Sequence, residues 1–315
     1  MRTRPSKVSL PSNSVPRPRI AWISPKPVRS FACIVPREIE NAGVGDKQKR
    51  PEDGTLDAWA YDYVLASTLL GKLEPPEPPQ DRALARAPSP LRLAAPGRPP
   101  ELEVHNQGVR ARRGGLRGEK ARARLVHAFH HHELQAAELM CWALLAFPEA
   151  PAAFREGLVR IALDEVRHMG FYREHLTALG YCVGDFPVRD WFWERVPRVT
   201  SPAAFVAVMG MGFEGGNLDH AARFTERFRD VGDELGARVQ EQVGREEIAH
   251  VRFAVRWFEE FTGKSDFETW AQHLPAPLSP MLMRGKPVQR DLRLRAGMSE
   301  AFVEEMVQWQ PAPGS

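Results

Sequence analysis

The sequence is poor in cysteine and lacks any long apolar run. Its three cysteines, Cys33, Cys141 and Cys182, are widely spaced and form no CxxC pair, which argues against a disulfide scaffold and favours a reducing compartment. No stretch of about 18 apolar residues is present, which excludes a membrane span. The first residues lack the apolar core of a secretory signal. From these absences we expect a cytoplasmic protein without a membrane partner.

What the sequence does contain is ordinary in amount but uneven in position. Hydrophobic residues make up 43% and charged residues 26% of the 315 residues, as in a globular protein. Of the 28 prolines, 17 lie in the first 100 residues. Residues 1–50 hold 11 Lys and Arg against 3 Asp and Glu, so the remainder is acidic although the whole chain carries +3. Net charge therefore does not indicate a nucleic-acid binder.

The composition divides the chain into four parts. Residues 75–100 contain nine prolines, which exclude a helix or a central strand and predict an extended strap after a helix at 54–74. The four parts are a disordered basic extension (1–50), a helix with the proline-rich strap packed on the bundle (51–124), a four-helix bundle (125–263) and a C-terminal tail with a short helix (264–315).

Four long amphipathic patterns define the central part, and no strand pattern of similar strength occurs. Their ends carry suitable signals: Pro148 and Pro151 separate the first two, Ser201 with Pro202 starts the third, and Gly263 follows the fourth. The predicted helices are 125–147, 152–179, 202–229 and 234–262. The sequence thus predicts an all-α fold.

Two of these helices carry a Glu-x-x-His pair in the stripe that faces the core. Glu165 and His168 continue an apolar series with steps of three and four residues, and Glu247 and His250 do the same. The preceding helices each interrupt their apolar stripe with one carboxylate, Glu133 and Glu214 respectively.

The spacing of these residues repeats. Glu133 precedes Glu165 by 32 residues and Glu214 precedes Glu247 by 33. In an antiparallel hairpin with a rise of about 1.5 Å per residue, Glu133 and Glu165 lie level. The chain therefore contains two copies of a helix pair, each with one Glu and one Glu-x-x-His.

Four carboxylates buried together must bind protons or cations. Two divalent ions balance their charge, and two neutral imidazoles complete the coordination. Carboxylate and imidazole ligands favour iron, with manganese as the alternative, and the absence of thiolates argues against structural zinc. The predicted metal ligands are Glu133, Glu165, His168, Glu214, Glu247 and His250.

Other polar residues near these positions fit supporting roles. Glu138 and Asp219 lie five residues after a ligand candidate, about 140° around the helix, and suit structural roles. His131 is expected to pack near Glu138. Tyr172 and His175 serve either core packing or electron and proton transfer. The basic segment 109–124 is either a phosphate or RNA contact or a solvated loop.

Four sequence motifs carry a resemblance to a known family. The chain from Gly54 to about Trp309 resembles the ferritin-like family called domain of unknown function 455. The motifs are HHELQAAELMCWALLAFP (131–148), DEVRHM (164–169), FPVRDWFWERVP (186–197) and GFEGGNLDH (212–220). The resemblance implies a ferritin-like four-helix bundle with a carboxylate-bridged dimetal centre, and by analogy Glu165 and Glu247 would bridge the metals. A more distant resemblance to a di-iron hydroxylase that modifies tRNA implies RNA as one possible substrate.

Three functions are compatible with such a site. The first is an O2-dependent oxidoreductase, most simply a hydroxylase of unknown substrate that is served by an electron-donating reductase. Four glycines around Glu214, namely Gly210, Gly212, Gly215 and Gly216, would leave room for oxygen or substrate. The connection 181–200 is an aromatic cover over an entrance or a packed crossover. The second function is ferroxidation or iron handling, and the third is a non-catalytic bundle stabilised by metal.

Overall fold

Every long element in the described part of the chain is a helix. The computed structural model describes three stretches of the chain, residues 49–79, 89–105 and 115–311. Within them the only β-type contact is a single bridge between Val104 and Val188. The predicted all-α fold is therefore confirmed. The expected disordered extension at 1–50 lies outside the described residues, except for its last two positions.

The helices in chain order are α1 (Leu56–Leu65), α2 (Leu69–Leu73), α3 (Glu119–Ala146), α4 (Ala152–Ala178), α5 (Pro202–Val208), α6 (Gly215–Arg229), α7 (Glu234–Thr262), α8 (Phe267–Gln272), α9 (Arg290–Arg295) and α10 (Glu300–Gln308). A π-helical turn, Met209–Glu214, joins α5 directly to α6. Turns of 3₁₀-helix lie at Val196–Arg198 and Pro280–Met283.

The long helices end close to the predicted signals. The Ser201 side chain caps α5 by accepting a hydrogen bond from the Ala204 N–H, and Pro202 is the first helical residue. Gly263 follows α7 with φ +82°, the left-handed conformation that glycine tolerates. Helix α3 begins at Glu119, six residues before the predicted start.

Two predictions about the flanking segments differ from the structure. The single helix expected at 54–74 is divided, because Thr68 starts a new helix by capping the Gly71 N–H with its side chain. The tail contains α8, α9 and α10 instead of one short helix. Asp266 and Ser299 cap the first and last of these in the same way.

The long helices pack as two hairpins. Helix α3 lies along α4, the helix formed by α5, the π-turn and α6 lies along α7, and α4 also packs on α7. Short connections (Phe147–Pro151 and Asp230–Asp233) make each pair antiparallel. Aromatic side chains including Trp142, Phe147 and Phe205 fill the core beyond the polar centre, and α1 covers the outside of α3.

The state of Cys141 and the apolar content of the helices bear on two expectations drawn from the sequence. Cys141 is a buried free thiol. In the part of the chain that the structure describes, no helix combines the length and the apolar character that a membrane crossing requires.

Candidate metal centre

The six predicted ligands meet in the interior, between the two hairpins. Glu133 lies on α3, Glu165 and His168 on α4, Glu214 at the end of the π-turn, and Glu247 and His250 on α7. All six side chains are buried, and the largest exposed fractions are 5% for Glu133 and 4% for Glu214. The helical periodicity of the sequence brings them together, because each occupies a core-facing position of its helix.

The ligand atoms form two overlapping groups. In each group, atoms that can bind a metal lie within 4.8 Å of one another. The first group is Glu133, Glu165, His168 and Glu247, and the second is Glu165, Glu214, Glu247 and His250. Glu165 and Glu247 belong to both groups, so these carboxylates lie between the two histidines.

The oxygens of Glu165 face different histidines. Its Oε2 lies 3.2 Å from His168 Nδ1 and its Oε1 lies 3.0 Å from His250 Nδ1. The Oε1 atom accepts no hydrogen bond of acceptable geometry although it is buried. A buried anionic oxygen without a donor requires another positive partner.

Glu247 is arranged in the same way. Its Oε2 lies 3.1 Å from His250 Nδ1, and its Oε1 lies 3.9 Å from His168 Nδ1. The Asn217 side-chain amide donates to Oε1 at 3.1 Å. One carboxylate oxygen directed to each histidine is the geometry that a carboxylate bridge between two ions requires.

Two further carboxylates, Glu246 and Asp164, complete the centre, and they were not among the predicted ligands. His168 Nε2 lies 2.8 Å from Glu246 Oε2 on α7, and His250 Nε2 lies 3.4 Å from Asp164 Oδ2 on α4. Each histidine is thus bound by the acidic residue that precedes the glutamate of the opposite Glu-x-x-His pair. A carboxylate on Nε2 holds that nitrogen protonated and leaves Nδ1 available to a metal.

Arg167 links the two outer carboxylates. Its guanidinium donates to Asp164 Oδ1 at 2.6 Å and lies 2.7 Å from Glu246 Oε2. Hydrogen bonds from His168 and Arg167 oppose the effect of burial and lower the pKa of Glu246 to about 2. The sequence contains a signal for these outer carboxylates, because an acidic residue precedes the glutamate in both motifs, DEVRH and EEIAH.

Protons supply the positive charge when no metal is bound. Burial and the neighbouring carboxylates raise the pKa of Glu133 and of Glu214 well above the ordinary value. Burial alone would lower the pKa of His168 and His250, but the surrounding carboxylates raise it well above the usual range. The site therefore takes up protons in place of cations.

The π-turn brings Glu214 into the second group. The Gly215 N–H donates to the Gly210 carbonyl, five residues earlier, which widens the helix at this point. π-Helical turns of this kind occur frequently at functional sites. The apolar pattern had predicted one regular helix here, because a single extra residue hardly alters periodicity.

The glycines of this turn pack closely on their neighbours, although Gly210 also lines a small cavity beside the ligands. A Cβ atom on Gly210 would overlap Ala254 of α7, and one on Gly212 would lie 2.7 Å from Met283 Sδ. These glycines permit close packing. An apolar cavity of about 10 Å³ lies next to the ligands, roughly enough space to hold one water molecule. Glu214 and His250 are its charged or titratable lining residues.

Glu138 lies outside both ligand groups and is neutralised by cations. Lys72 Nζ lies 2.7 Å from Glu138 Oε1, Arg98 binds both carboxylate oxygens, and Trp193 Nε1 donates at 2.8 Å. The three partners come from α2, the strap and the connection after α4. His131 joins this cluster, because its Nε2 lies 2.9 Å from the Asp190 carboxylate that Arg98 also binds.

Asp219 plays the corresponding part in the second hairpin. Its carboxylate accepts from Arg293 Nη2 at 2.7 Å, from the Gly285 N–H at 2.8 Å and from the Gln289 N–H at 2.7 Å. The two carboxylates five residues beyond Glu133 and Glu214 thus bind the N-terminal and the C-terminal flanking segment. Both positions are structural, as their direction on the helix indicated.

Tyr172 and His175 lie beyond the ligand groups along α4. The Tyr172 hydroxyl accepts from Gln240 Nε2 at 3.0 Å, and His175 Nε2 lies 3.0 Å from the Asp233 carboxylate. Both side chains are buried and have partners in α7 or its cap. These contacts account for both residues as packing and capping elements.

The connection after α4 packs beside the ligand helices. Phe192 stacks on Phe213 with ring centroids 4.7 Å apart and on His132 at 5.2 Å. Trp191 lies 5.0 Å from Phe213. His132 and Phe213 directly precede Glu133 and Glu214 in the sequence, so these aromatic rings pack on the two chain segments that carry those ligands.

The donor set fits a pair of divalent cations of the iron or manganese type. It combines four carboxylates with two imidazoles, it lacks thiolates, and its histidines have outer carboxylate partners. Magnesium and calcium prefer oxygen ligands alone. The described residues form a buried cluster of carboxylates and histidines that can hold metal ions.

The same chain has known relatives. The family described as "Protein of unknown function (DUF455)" matches residues 64–304, and the chain belongs to that family. A protein of Haemophilus influenzae described as "Uncharacterized protein" is 26% identical over 252 residues, which cover 76% of this chain and 83% of the relative. No solved structure matches the chain. The more distant resemblance to a tRNA hydroxylase receives no support from these relatives.

Proposed function

We propose that this protein binds two divalent iron ions and uses them in an O2-dependent oxidation, with manganese as the alternative metal. The observation that supports the proposal is that Glu165 and Glu247 each direct one oxygen to His168 and one to His250. In this proposal both glutamates bridge the ions, within the ferritin-like bundle that the resemblance implies. Glu133 with His168 and Glu214 with His250 complete the two ligand sets.

Residues of the chain prepare this site for chemistry with dioxygen. Reduced iron, when bound, supplies the electrons that dioxygen accepts. Glu246 and Asp164 keep the histidine Nδ1 atoms directed inward. The apolar cavity beside Glu214 and His250 is suited to a small apolar molecule such as dioxygen, and the buried surroundings exclude bulk water.

Hydroxylation also sets a requirement for a partner. Insertion of one oxygen atom into a C–H bond, with reduction of the other to water, consumes two electrons and two protons beyond those of the substrate. We therefore infer an electron-donating reductase as a partner. The basic segment 109–124 lies partly outside the described residues. In its described part, Arg122 binds Asp233 and Arg124 lies over Phe186, whereas Arg117 and Lys120 are exposed. A phosphate or RNA contact of this segment stays a prediction.

Metal analysis of the purified protein is the first experiment. We expect about two iron ions per chain after anaerobic reconstitution with Fe²⁺ and desalting. Glu165→Ala and His250→Ala should lose bound iron, because the first removes a shared ligand and the second a terminal one. Glu241→Ala, on an exposed part of α7, is the control and should retain both ions. Wild-type protein that retains no transition metal would refute the proposal.

Reaction with oxygen distinguishes the proposed function from the other two. The iron-loaded, reduced protein is mixed with air-saturated buffer, and oxygen consumption and iron oxidation are recorded. Oxidation at a stoichiometry of two irons per chain, followed by further turnover only with an added electron donor, is expected. Continued oxidation of excess Fe²⁺ into a mineral would indicate iron handling, and complete inertness would indicate a non-catalytic bundle.

A further inference from the structure

The C-terminal segment reaches the metal centre through the π-turn. Met283 ends the 3₁₀ turn Pro280–Met283 and is fully buried. The Met283 Sδ atom lies 2.7 Å from where a Cβ of Gly212 would be, and its carbonyl oxygen lies 3.4 Å from the corresponding position of Gly216. Met283 therefore packs against the π-turn before Glu214 and against the first turn of α6 after it.

A buried ion pair keeps Met283 in that place. Arg293 Nη2 donates to the Met283 carbonyl at 3.2 Å and to Asp219 Oδ2 at 2.7 Å. Arg293 and Asp219 are essentially inaccessible to solvent. Asp219 also accepts from the Gly285 N–H, so the chain that follows Met283 is bound to α6. A charge pair this deeply buried is costly to separate and holds its partners in one geometry.

The π-turn itself needs such support. It contains two glycines and two methionines between α5 and α6, and glycine is among the poorest helix formers. π-Helical segments are rare in proteins and usually extend over a single turn. On its other side Gly210 lies directly against Ala254 of α7. The turn is therefore held between α7 and the C-terminal segment.

We propose that Asp219, Arg293 and Met283 are positioning residues for Glu214. They hold the π-turn from the outside, so that the Glu214 carboxylate reaches the second ligand group. The first hairpin has no equivalent requirement, because Glu133 stands on the regular helix α3. This inference rests on the proposed metal centre, and it assigns the C-terminal segment a role in filling one of the two metal positions.

The test measures metal binding with Mn²⁺ alone, by equilibrium dialysis and electron paramagnetic resonance. Wild-type protein should bind two ions and show the signal of a coupled pair. Met283→Ala removes the contact with the turn but leaves the backbone carbonyl and the Asp219–Arg293 pair. We expect its second Mn²⁺ to bind at least tenfold more weakly, so that one uncoupled ion remains. Met283→Leu, which conserves volume, should restore the pair.

Met306→Ala is the matched control. It makes the same change at a fully buried position of α10 in the same segment. The contacts that Met283 makes with Gly212 and Gly216 stay intact in this variant. It should lower the melting temperature but still bind two coupled ions. If Met283→Ala fails to fold, Gly212→Ala tests the same contact, because its methyl group meets Met283 Sδ.

The outcomes separate the two proposals. Wild-type protein without bound Mn²⁺ or iron would refute the metal centre itself. A wild type with two ions, together with unchanged affinities in Met283→Ala or Gly212→Ala, would refute only the positioning role. Equal loss of the second ion in Met306→Ala would also refute it, because general destabilisation would then explain the effect.

Discussion

At the scale of single residues, the centre is a problem of charge balance. Four buried carboxylates and two imidazoles share a space that water hardly reaches. Without metal, Glu133, Glu214, His168 and His250 have raised pKa values. Ions and protons therefore compete for the same positions.

This competition predicts a reversal of the pH dependence of stability. At the centre, the folded metal-free protein keeps protons that the unfolded chain has released. Above about pH 7 its free energy of unfolding should therefore fall as pH passes through the raised folded pKa values. Only this range is informative, because at lower pH the unfolded chain binds extra protons at the histidines whose pKa burial lowers, namely His127, His130, His131, His132 and His220. Metal-loaded protein should instead become more stable with pH, because fewer protons compete.

Urea unfolding between about pH 7 and 9, with metal and with chelator, measures this reversal (about 1 kcal/mol or more in each direction). Addition of Fe²⁺ to metal-free protein at neutral pH should also release about four protons per chain, detected with a pH indicator. Parallel pH profiles with and without metal would contradict the charge balance described here.

The crossed outer carboxylates give a second prediction at this scale. Glu246→Ala should weaken the ion bound by His168 about 10- to 100-fold, and Asp164→Ala should do the same to the ion bound by His250. Each substitution removes the acceptor that fixes the histidine tautomer. Mn²⁺ titration of the two variants measures the effect, with Glu241→Ala as the control on α7. Unchanged affinity in both variants would show that the outer carboxylates are only surface ion-pair partners of Arg167.

At the scale of elements, glycine decides how closely helices approach. Gly210 lies on Ala254 where the π-turn meets α7, whereas Gly170 of α4 has no atom within 4 Å of its Cβ position. The same substitution should therefore have opposite effects at the two positions.

Gly210→Ala should destabilise the protein by about 1–3 kcal/mol, because the methyl group forces the π-turn away from α7. Gly170→Ala should stabilise it by about 0.5–1 kcal/mol, since alanine is the better helix former. Urea unfolding of the metal-free proteins measures both. A stabilised Gly210→Ala variant would show that the packing of the turn is looser than described.

At the scale of the whole described molecule, two buried ion clusters attach the flanking segments to the bundle. Glu138 binds Lys72 and Arg98 from the N-terminal segment, and Asp219 binds Arg293 from the C-terminal segment. The two hairpins thus use equivalent positions for equivalent purposes.

Glu138→Gln should cost about 3–5 kcal/mol, because it leaves Lys72 buried without its counter-ion and Arg98 with Asp190 alone. Metal binding should persist, since Glu138 belongs to neither ligand group. Glu74→Gln removes a solvent-exposed contact with Arg173 from the same segment and should change little. Urea unfolding and metal analysis of both variants test this; loss of both metals in folded Glu138→Gln would place that residue in the centre.

Much of this protein is readable from its sequence, because helical periodicity is local. Steps of three and four residues place Glu165 with His168 and Glu247 with His250 on buried faces. Proline and glycine signals set helix ends to within a few residues. The all-α fold and the core-facing position of each of the six polar residues follow from this repetition.

Only the tertiary structure decides which groups meet across helices. The pairing of His168 with Glu246 depends on the distance and rotation between α4 and α7, which no single segment encodes. The same holds for Arg98 and Arg293 as partners of Glu138 and Asp219, since they come from segments without a regular pattern. The π-turn before Glu214 is also a tertiary outcome, because it changes the periodicity too little to be read locally and is held by contacts from Ala254 and Met283.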